Sequence, residues 1–157
     1  MEKLLRLLNP KSINYEADRI DGGVQQLTAQ DVLLAMSYAK LSPLQDNLIR
    51  MKCFSAGTQS NVEKFSLLLV KRYEKDLTLK NVNIDYHVLI VKVALTEFCL
   101  VAGDYKSSDR SRGVIAGVSY STVNRHMKKY IDQVLEEMNR ELATGFEKIS
   151  FQLFKTN

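Results

Sequence analysis

A row of polar and cationic side chains follows a single glycine in the last third of the sequence. In the run GVSYSTVNRHMKKY, Tyr120, Asn124 and Lys128 recur every four residues. Ser121 and Arg125 lie one position beyond the first two of them. At helical spacing these five side chains, which we call the polar face, share one side of a helix. Arginine can hydrogen-bond to guanine, asparagine to adenine, and serine to several bases. The polar face could therefore contact base edges in a major groove. An ordinary solvated face of an amphipathic helix is the alternative.

A sharp turn in front of this helix would determine how the polar face is presented. Gly117 stands where a preceding short helix must stop and where a positive φ angle is needed, which glycine adopts without steric cost. Val118 is expected to fill the space between the two helices, and Ser119 or Ser121 to cap the second one. The pattern predicts a helix, a turn and a second helix, as in a helix-turn-helix unit.

The opposite side of the second helix is apolar over a long stretch. Apolar residues recur there at spacings of three and four, which is the period of a helix that packs on a core. This stripe predicts a long second helix with one buried side. Its members are Val123, Met127, Tyr130, Ile131, Val134, Leu135, Met138 and Leu142.

Cations concentrate around the same unit. The chain has a formal net charge of +4, but segment 106–129 alone carries six cations and one anion and therefore +5. A local excess of this kind is what binding to phosphate groups requires, although a solvated cluster is again the alternative. We predict base contacts from Asn124 and Arg125. The full set of predicted DNA-contacting residues is Arg112, Ser119, Tyr120, Ser121, Thr122, Asn124, Arg125, Lys128 and Lys129.

Other chemistries find little support. Cys53 and Cys99 lie in apolar helical contexts without a CxxC motif, and they are expected to be reduced core residues rather than zinc ligands. His87 and His126 are far apart, and no nucleophile with a nearby base stands out, so we expect neither an enzyme nor a metal or other cofactor. The apolar runs are too short to span a membrane, and a cytoplasmic protein is expected.

Proline and glycine are scarce, and helical spacing of apolar residues continues almost throughout, which predicts an all-α helical bundle. We expect an N-terminal helix and arm over residues 1–27 and a helical scaffold over 28–103. Residues 104–157 would hold the helix-turn-helix, its long second helix and an apolar C-terminal segment, packed with the scaffold as one domain. This final segment is expected to pack back on the bundle, with partner binding as the alternative.

Capping residues predict where the scaffold helices begin and end. Thr28 with Asp31 is expected to open one helix, which would run to about Lys40. Ser42 followed by Pro43 is expected to open the next. A box from Ser60 to Glu63 is predicted to start the third, and the most apolar helix should end at Gly103.

The residues after Ala116 also resemble known DNA-binding sequences. GVSYSTVNR resembles the turn and recognition-helix start of lac-repressor-type DNA-binding domains. Over a longer span, NPKS, LTAQDVLLAMSYAK, MKCF and VALTEFCLVAGD are similar, in the same order, to segments of the lambda-type late antitermination protein Q family of bacteriophages. RGVIAGVSYSTVNRHMKKY is similar to the helix-turn-helix of that family, with Thr122, Arg125, Lys128 and Tyr130 on matching residue types. The resemblance covers most of residues 9–142.

Two features depart from the pattern. Arg112 and His126 stand at helix-turn-helix positions that are usually apolar. The lambda protein also carries a zinc-binding insertion before its helix-turn-helix, and here only the polar stretch 104–112 occupies that place. The resemblance therefore implies no zinc site in this chain.

The resemblance implies a sequence-specific DNA-binding antitermination factor. Such a protein binds double-stranded DNA near a phage late promoter and engages bacterial RNA polymerase holoenzyme paused just downstream. It then travels with polymerase and its elongation factors through terminators, in the host cytoplasm. A small phage or prophage helix-turn-helix repressor or activator is an alternative, and it could form a homodimer through the long helix. A helical adaptor without specific DNA binding is a further alternative.

Overall fold

The computed structural model describes residues 29–54, 56–100 and 106–155. All regular structure within these ranges is helical, which confirms the predicted all-α class. A π-helical turn, Val123–Met127, lies between the last two helices. The helices are α1 (Ala29–Tyr38), α2 (Pro43–Cys53), α3 (Gln59–Leu79), α4 (Ile84–Cys99), α5 (Asp109–Ala116), α6 (Tyr120–Thr122) and α7 (Lys128–Lys155).

The chain forms two compact units. Of the described residues, 29–54, 56 and 141–155 belong to the first unit, and 57–100 and 106–140 belong to the second. Helix α7 contributes its early turns to the second unit and its late turns to the first. The predicted division into arm, scaffold and helix-turn-helix part stays a prediction, and residues 1–27 lie outside the described ranges.

The predicted start of α2 is confirmed. The Oγ of Ser42 accepts a hydrogen bond from the Gln45 backbone N–H at 3.2 Å, and the Gln45 side chain accepts one from the Ser42 N–H at 3.1 Å. Pro43 occupies the first helical position, where the missing N–H of proline costs no helical hydrogen bond. The predicted capping residues therefore form this helix start.

The predicted start of α3 is wrong, because a different residue caps the helix. Thr58, and not Ser60, caps the helix by accepting from the Asn61 N–H at 3.3 Å. Both hydroxyl residues can cap a helix, and the earlier start adds helical residues whose backbone bonds are satisfied, such as the Val62 N–H to the Thr58 carbonyl. Helix α4 also ends earlier than predicted, at Cys99. The predicted end at Gly103 and the predicted cap at Thr28 lie outside the described residues.

Helix α4 supplies much of the core of the second unit. Ile90, Val91, Val93, Ala94 and Leu95 are all fully buried. The predicted apolar stripe of the long second helix is confirmed as a buried side, with Tyr130 and Leu135 only half-buried. The buried members of the stripe are Val123, Met127, Ile131, Val134, Met138 and Leu142.

The first unit buries the inner side of the C-terminal segment. Ile149 and Leu153 are buried within this unit, whereas packing of the segment on the whole predicted scaffold as one domain stays a prediction. A Cβ added at Gly145 would lie 3.0 Å from Cδ1 of Ile49, which shows how closely α2 and α7 approach each other. The outer side is different, because Phe151 is 64% and Phe154 is 75% exposed.

The two cysteines carry free thiols. Cys53 is buried in the first unit, and burial raises the pKa of its thiol to about 11, with Lys52 opposing the shift. Its thiol is therefore protonated and poorly nucleophilic at neutral pH, as expected for a core residue. No helix in the described ranges is both long and apolar enough to cross a membrane.

Candidate nucleic-acid interface

The turn between α5 and α6 has the conformation predicted for it. Gly117 adopts a φ of 72° and a ψ of 28°, in the left-handed region. The Val118 N–H donates to the Gly113 carbonyl at 3.0 Å, and the Gly117 N–H donates to the Val114 carbonyl at 3.3 Å. These bonds satisfy carbonyl groups that the end of α5 would otherwise leave unpaired. Three residues then separate α5 from α6.

A second glycine brings α5 directly against this turn. A Cβ added at Gly113 would lie 2.8 Å from the Val118 carbonyl oxygen and 3.4 Å from the Tyr120 backbone nitrogen. Both neighbours are backbone atoms that cannot rotate away, so a side chain here would push the turn off α5. The sequence pattern gave no role to Gly113, although its spacing of four residues from Gly117 is the signal that could have found it.

Ser119 starts the second helix. Its Oγ accepts a hydrogen bond from the Thr122 N–H at 3.1 Å, which selects Ser119 from the two predicted caps. The same Oγ lies 2.8 Å from Oγ of Ser121 and 2.9 Å from Oγ1 of Thr122. The three hydroxyl groups thus form one cluster at the helix start.

The second helix contains a π-helical turn that its sequence does not reveal. The Lys128 N–H donates to the carbonyl of Val123, five residues earlier. Val123 and Met127 are fully buried, and their spacing of four residues is also what an ordinary α-helix would show. The apolar pattern therefore predicted a helix correctly and could not distinguish its type.

The polar face is at the surface. Tyr120 is 63% exposed, Asn124, Arg125 and Lys128 are exposed, and Ser121 is half-exposed. Because the opposite side of this helix is buried in the second unit, the helix presents these side chains outward. Eight of the nine predicted DNA-contacting residues lie on this helix start, namely Ser119, Tyr120, Ser121, Thr122, Asn124, Arg125, Lys128 and Lys129.

The local charge excess is also largely at the surface. Of the six cations in segment 106–129, five are exposed. Asp109, the anion of the segment, is half-buried. The surface around the polar face is therefore cationic, which favours contact with phosphate groups. The exposed cations are Lys106, Arg110, Arg125, Lys128 and Lys129.

The prediction that Arg112 contacts DNA is wrong. Its side chain is 5% exposed and makes a bidentate pair with Glu97, with Nε 2.9 Å from Oε1 and Nη2 2.8 Å from Oε2. Nη2 also lies 2.7 Å from Oδ1 of Asp132. Burial lowers the pKa of Arg112, but the hydrogen bonds and charges of Glu97 and Asp132 raise it by more, so the guanidinium stays charged. Its donors Nε and Nη2 are directed at two carboxylates of the same unit and not at a ligand outside.

This ion pair explains one departure from the usual helix-turn-helix pattern. A buried charge is tolerated where its partner is buried with it and their hydrogen bonds are well formed. Glu97 on α4 meets that condition, and the Oγ of Ser107 donates a further bond to it at 3.1 Å. Where the helix-turn-helix pattern has an apolar residue, this chain thus has a paired arginine that joins α5 to α4.

The second departure has a different cause. His126 is exposed, and its ring stacks on that of Tyr86, with the ring centroids 6.0 Å apart and an angle of 25° between the planes. The position is therefore not part of the core of this protein. Since Tyr86 lies in the first turns of α4, this contact also ties the second helix to α4.

Asp109 connects α5 to the polar face. Its Oδ2 accepts a hydrogen bond from Nδ2 of Asn124 at 2.7 Å, and its Oδ1 lies 3.4 Å from Nζ of Lys128. The bond from Asn124 lowers the pKa of Asp109, desolvation opposes this, and Lys128 and Arg112 lower the pKa further. Asp109 is consequently ionised at neutral pH. The sequence pattern treated it only as one negative charge, because nothing in the sequence indicates its partners.

No group of three or more histidine, cysteine, aspartate or glutamate side chains in the described residues is arranged to hold a metal ion. Comparison of the chain with protein-family models, curated proteins and solved structures gives no match.

Proposed function

We propose that this protein binds double-stranded DNA and places residues 119–129 in the major groove. The observation that carries the proposal is the left-handed turn at Gly117, followed at once by a helix whose outer side is polar and cationic. Helices joined by a short glycine-containing turn are the framework of helix-turn-helix proteins, in which the start of the second helix contacts base edges. A helix with one side held in a core can present the other side in a fixed orientation.

The side chains fall into two groups, those suited to contact bases and those suited to contact phosphate groups. Arg125 and Asn124 have the donor and acceptor patterns that read guanine and adenine, and we assign base contacts to them. Exposed lysines and hydroxyl groups suit phosphate oxygens, which fix the position of a protein on the duplex. We assign phosphate contacts to Lys106, Arg110, Lys128 and Lys129, and contacts to either backbone or bases to Ser119, Tyr120, Ser121 and Thr122.

Replacing Arg125 by alanine should weaken binding to the specific site and have little effect on other DNA. The wild-type protein is first used to enrich duplexes from a random-sequence library, and affinities are then measured on the enriched duplex and on a scrambled one. The variant should bind the enriched duplex roughly 5- to 150-fold less tightly, as expected for the loss of a base contact. Fluorescence anisotropy at one fixed salt concentration measures both affinities.

The matched control for this experiment is Arg140→Ala, since Arg140 is an exposed arginine of α7 outside segment 106–129, which we call the cationic segment. It should leave both affinities unchanged. Equal losses on the two duplexes with Arg125→Ala would show a phosphate contact instead of a base contact. If the library yields no enriched sequence, the protein is not a sequence-specific DNA-binding protein, and the adaptor alternative is favoured.

For the biological role we propose transcription antitermination, which rests on the resemblance to the lambda-type Q family. The protein would bind DNA beside a phage late promoter, load onto bacterial RNA polymerase paused close to that promoter and modify it to read through terminators. Polymerase holoenzyme and its elongation factors are the protein partners that this role requires. The site of action would be the cytoplasm of the bacterial host.

Transcription in vitro tests this role. The template carries a promoter, the enriched sequence beside it and a terminator downstream, and it is transcribed by purified polymerase with its elongation factors. The wild-type protein should increase the fraction of transcripts that pass the terminator, and Arg125→Ala should not. Tight DNA binding with unchanged readthrough would favour the repressor or activator alternative. A palindromic footprint with half-sites about one helical turn apart would support a homodimer of that kind.

A further inference from the structure

We propose that Asp109 is a positioning residue, which sets the base preference of the polar face by orienting the Asn124 carboxamide to read an adenine. This inference rests on the proposed DNA binding and adds to it the chemistry of one contacted base. It follows from the contact between the two side chains across the turn.

The orientation of the carboxamide is determined by chemistry. An ionised carboxylate can only accept hydrogen bonds, so the group that faces Oδ2 of Asp109 at 2.7 Å must be the amide nitrogen of Asn124. The amide oxygen is directed elsewhere. Asp109 thereby removes the freedom of the carboxamide to turn over, which a solvated asparagine would keep.

One carboxamide edge remains for a ligand. The amide nitrogen has two N–H groups, and one of them is directed to Asp109. In the proposed arrangement the N–H trans to the amide oxygen is the one that faces Asp109, so the second N–H and the amide oxygen form a donor beside an acceptor, and Asn124 is exposed. Adenine presents the complementary pair in the major groove, its N7 acceptor and its N6 amino donor. Guanine presents two acceptors there, so an oxygen of fixed orientation disfavours it.

The anchor of this contact lies on a different helix from the reading residue. Asp109 is in the first turn of α5, and its side chain is 21% exposed. Helix α5 is itself held by the close approach of Gly113 to the turn and by the ion pair of Arg112 with Glu97. Lys128, 3.4 Å from the other carboxylate oxygen, supplies a positive charge beside Asp109. The position of the carboxamide is therefore coupled to the fixed geometry of α5.

A simpler role for Asp109 is repulsion of phosphate groups by its negative charge. The two roles differ in a measurable quantity. Repulsion weakens binding to every duplex by the same factor, so removal of Asp109 would raise all affinities together. Positioning acts on the ratio of affinities for duplexes that differ at a single base pair.

The test measures this ratio with the duplex that the wild-type protein enriches from the random library. Each A·T pair of that duplex is replaced in turn by G·C, and each G·C pair by A·T, and affinities are measured for wild type, Asp109→Ala, Asn124→Ala and the double variant. The affinity of wild type should fall roughly 5- to 150-fold when one particular A·T pair is replaced. Asp109→Ala should lose most of that discrimination at the same pair and keep it elsewhere. Asn124→Ala should also lose most of the discrimination at that pair, and the double variant should lose no more discrimination than either single variant.

Asp85→Ala is the control, because Asp85 is also an aspartate in the first turn of a helix, and its side chain is exposed. It should leave the discrimination unchanged. Thermal melting followed by circular dichroism checks the fold, and Asp109→Ser replaces Asp109→Ala if the alanine variant melts early.

Three results would overturn the inference. The first is a uniform gain in affinity for all duplexes on removal of Asp109 with the discrimination intact, which is the signature of repulsion. The second is relaxation by Asn124→Ala at a G·C pair of the site, since that excludes adenine as the base read. The third is a further loss in the double variant, because the residues would then act independently. Failure of wild type to enrich any sequence is a different outcome, since it refutes the proposed DNA-binding function itself.

Discussion

Replacing Arg112 by methionine is expected to destabilise the second unit by about 3 to 5 kcal/mol. Methionine fills a similar volume but leaves the Glu97 carboxylate, whose side chain is 3% exposed, without its guanidinium partner. Removing one member of a buried ion pair is costly because the remaining charge stays desolvated. Asp132 should tolerate the change, since its side chain is 53% exposed and can be hydrated. Urea unfolding followed by circular dichroism measures the loss.

Two further variants make this expectation specific. Adding Glu97→Met to Arg112→Met should recover most of the stability, because a buried ion pair replaced as a whole by apolar residues is often neutral or stabilising. Lys80→Met breaks the exposed pair of Lys80 with Asp76 and should cost less than about 1 kcal/mol. A loss of similar size for Arg112→Met would show that the pair with Glu97 contributes no more than a surface pair.

Neutralising exposed lysines of the cationic segment should remove most of the affinity for DNA of any sequence. Each phosphate contact contributes about 0.9 to the slope of log affinity against log salt concentration, so three lost contacts should make the slope shallower by roughly three. At about 0.1 M salt the affinity should fall by about two orders of magnitude. The triple variant carries glutamine in place of Lys106, Lys128 and Lys129.

The control for this variant removes the same number of positive charges from another surface of the protein. Lys64, Lys71 and Lys75 are exposed on α3, and their replacement by glutamine alters the net charge of the protein equally. This control should keep nearly the same salt slope as wild type. If both triple variants show the same shallow slope, the effect comes from net charge, and the cationic segment is not a defined phosphate-binding surface. Measurements from about 50 to 200 mM salt on a scrambled duplex provide the slopes.

The features that sequence predicted well are those set by neighbouring residues. Ser42 with Pro43 starts a helix because the cap and the missing N–H act within one turn, and Gly117 allows a left-handed turn that other residues adopt at a cost. Periodicity likewise identified the buried side from Val123 onward, because one side of a helix must meet the core. These effects need no knowledge of distant partners.

The features that sequence missed depend on distant partners or on competing local choices. Arg112 looked like a DNA ligand because its buried partner, Glu97, is fifteen residues away and nothing in the sequence marks the pair. The contact of Asp109 with Asn124 spans the same sequence distance. At the start of α3, Thr58 and Ser60, two residues apart, could both cap the helix, and capping preference alone did not choose Thr58.

The π-helical turn at Val123–Met127 has a consequence for the recognition of distant homologues. A π turn contains about one residue more than an α turn, so deleting one residue within it can restore a regular α-helix without moving the segments on either side. The polar residues before the turn and the apolar stripe from Ile131 onward would keep their faces. An alignment without gaps would place every residue after the turn about 100° out of phase around the helix. Homologues should therefore be sought with a one-residue gap permitted between residues 123 and 127, where the structure absorbs it.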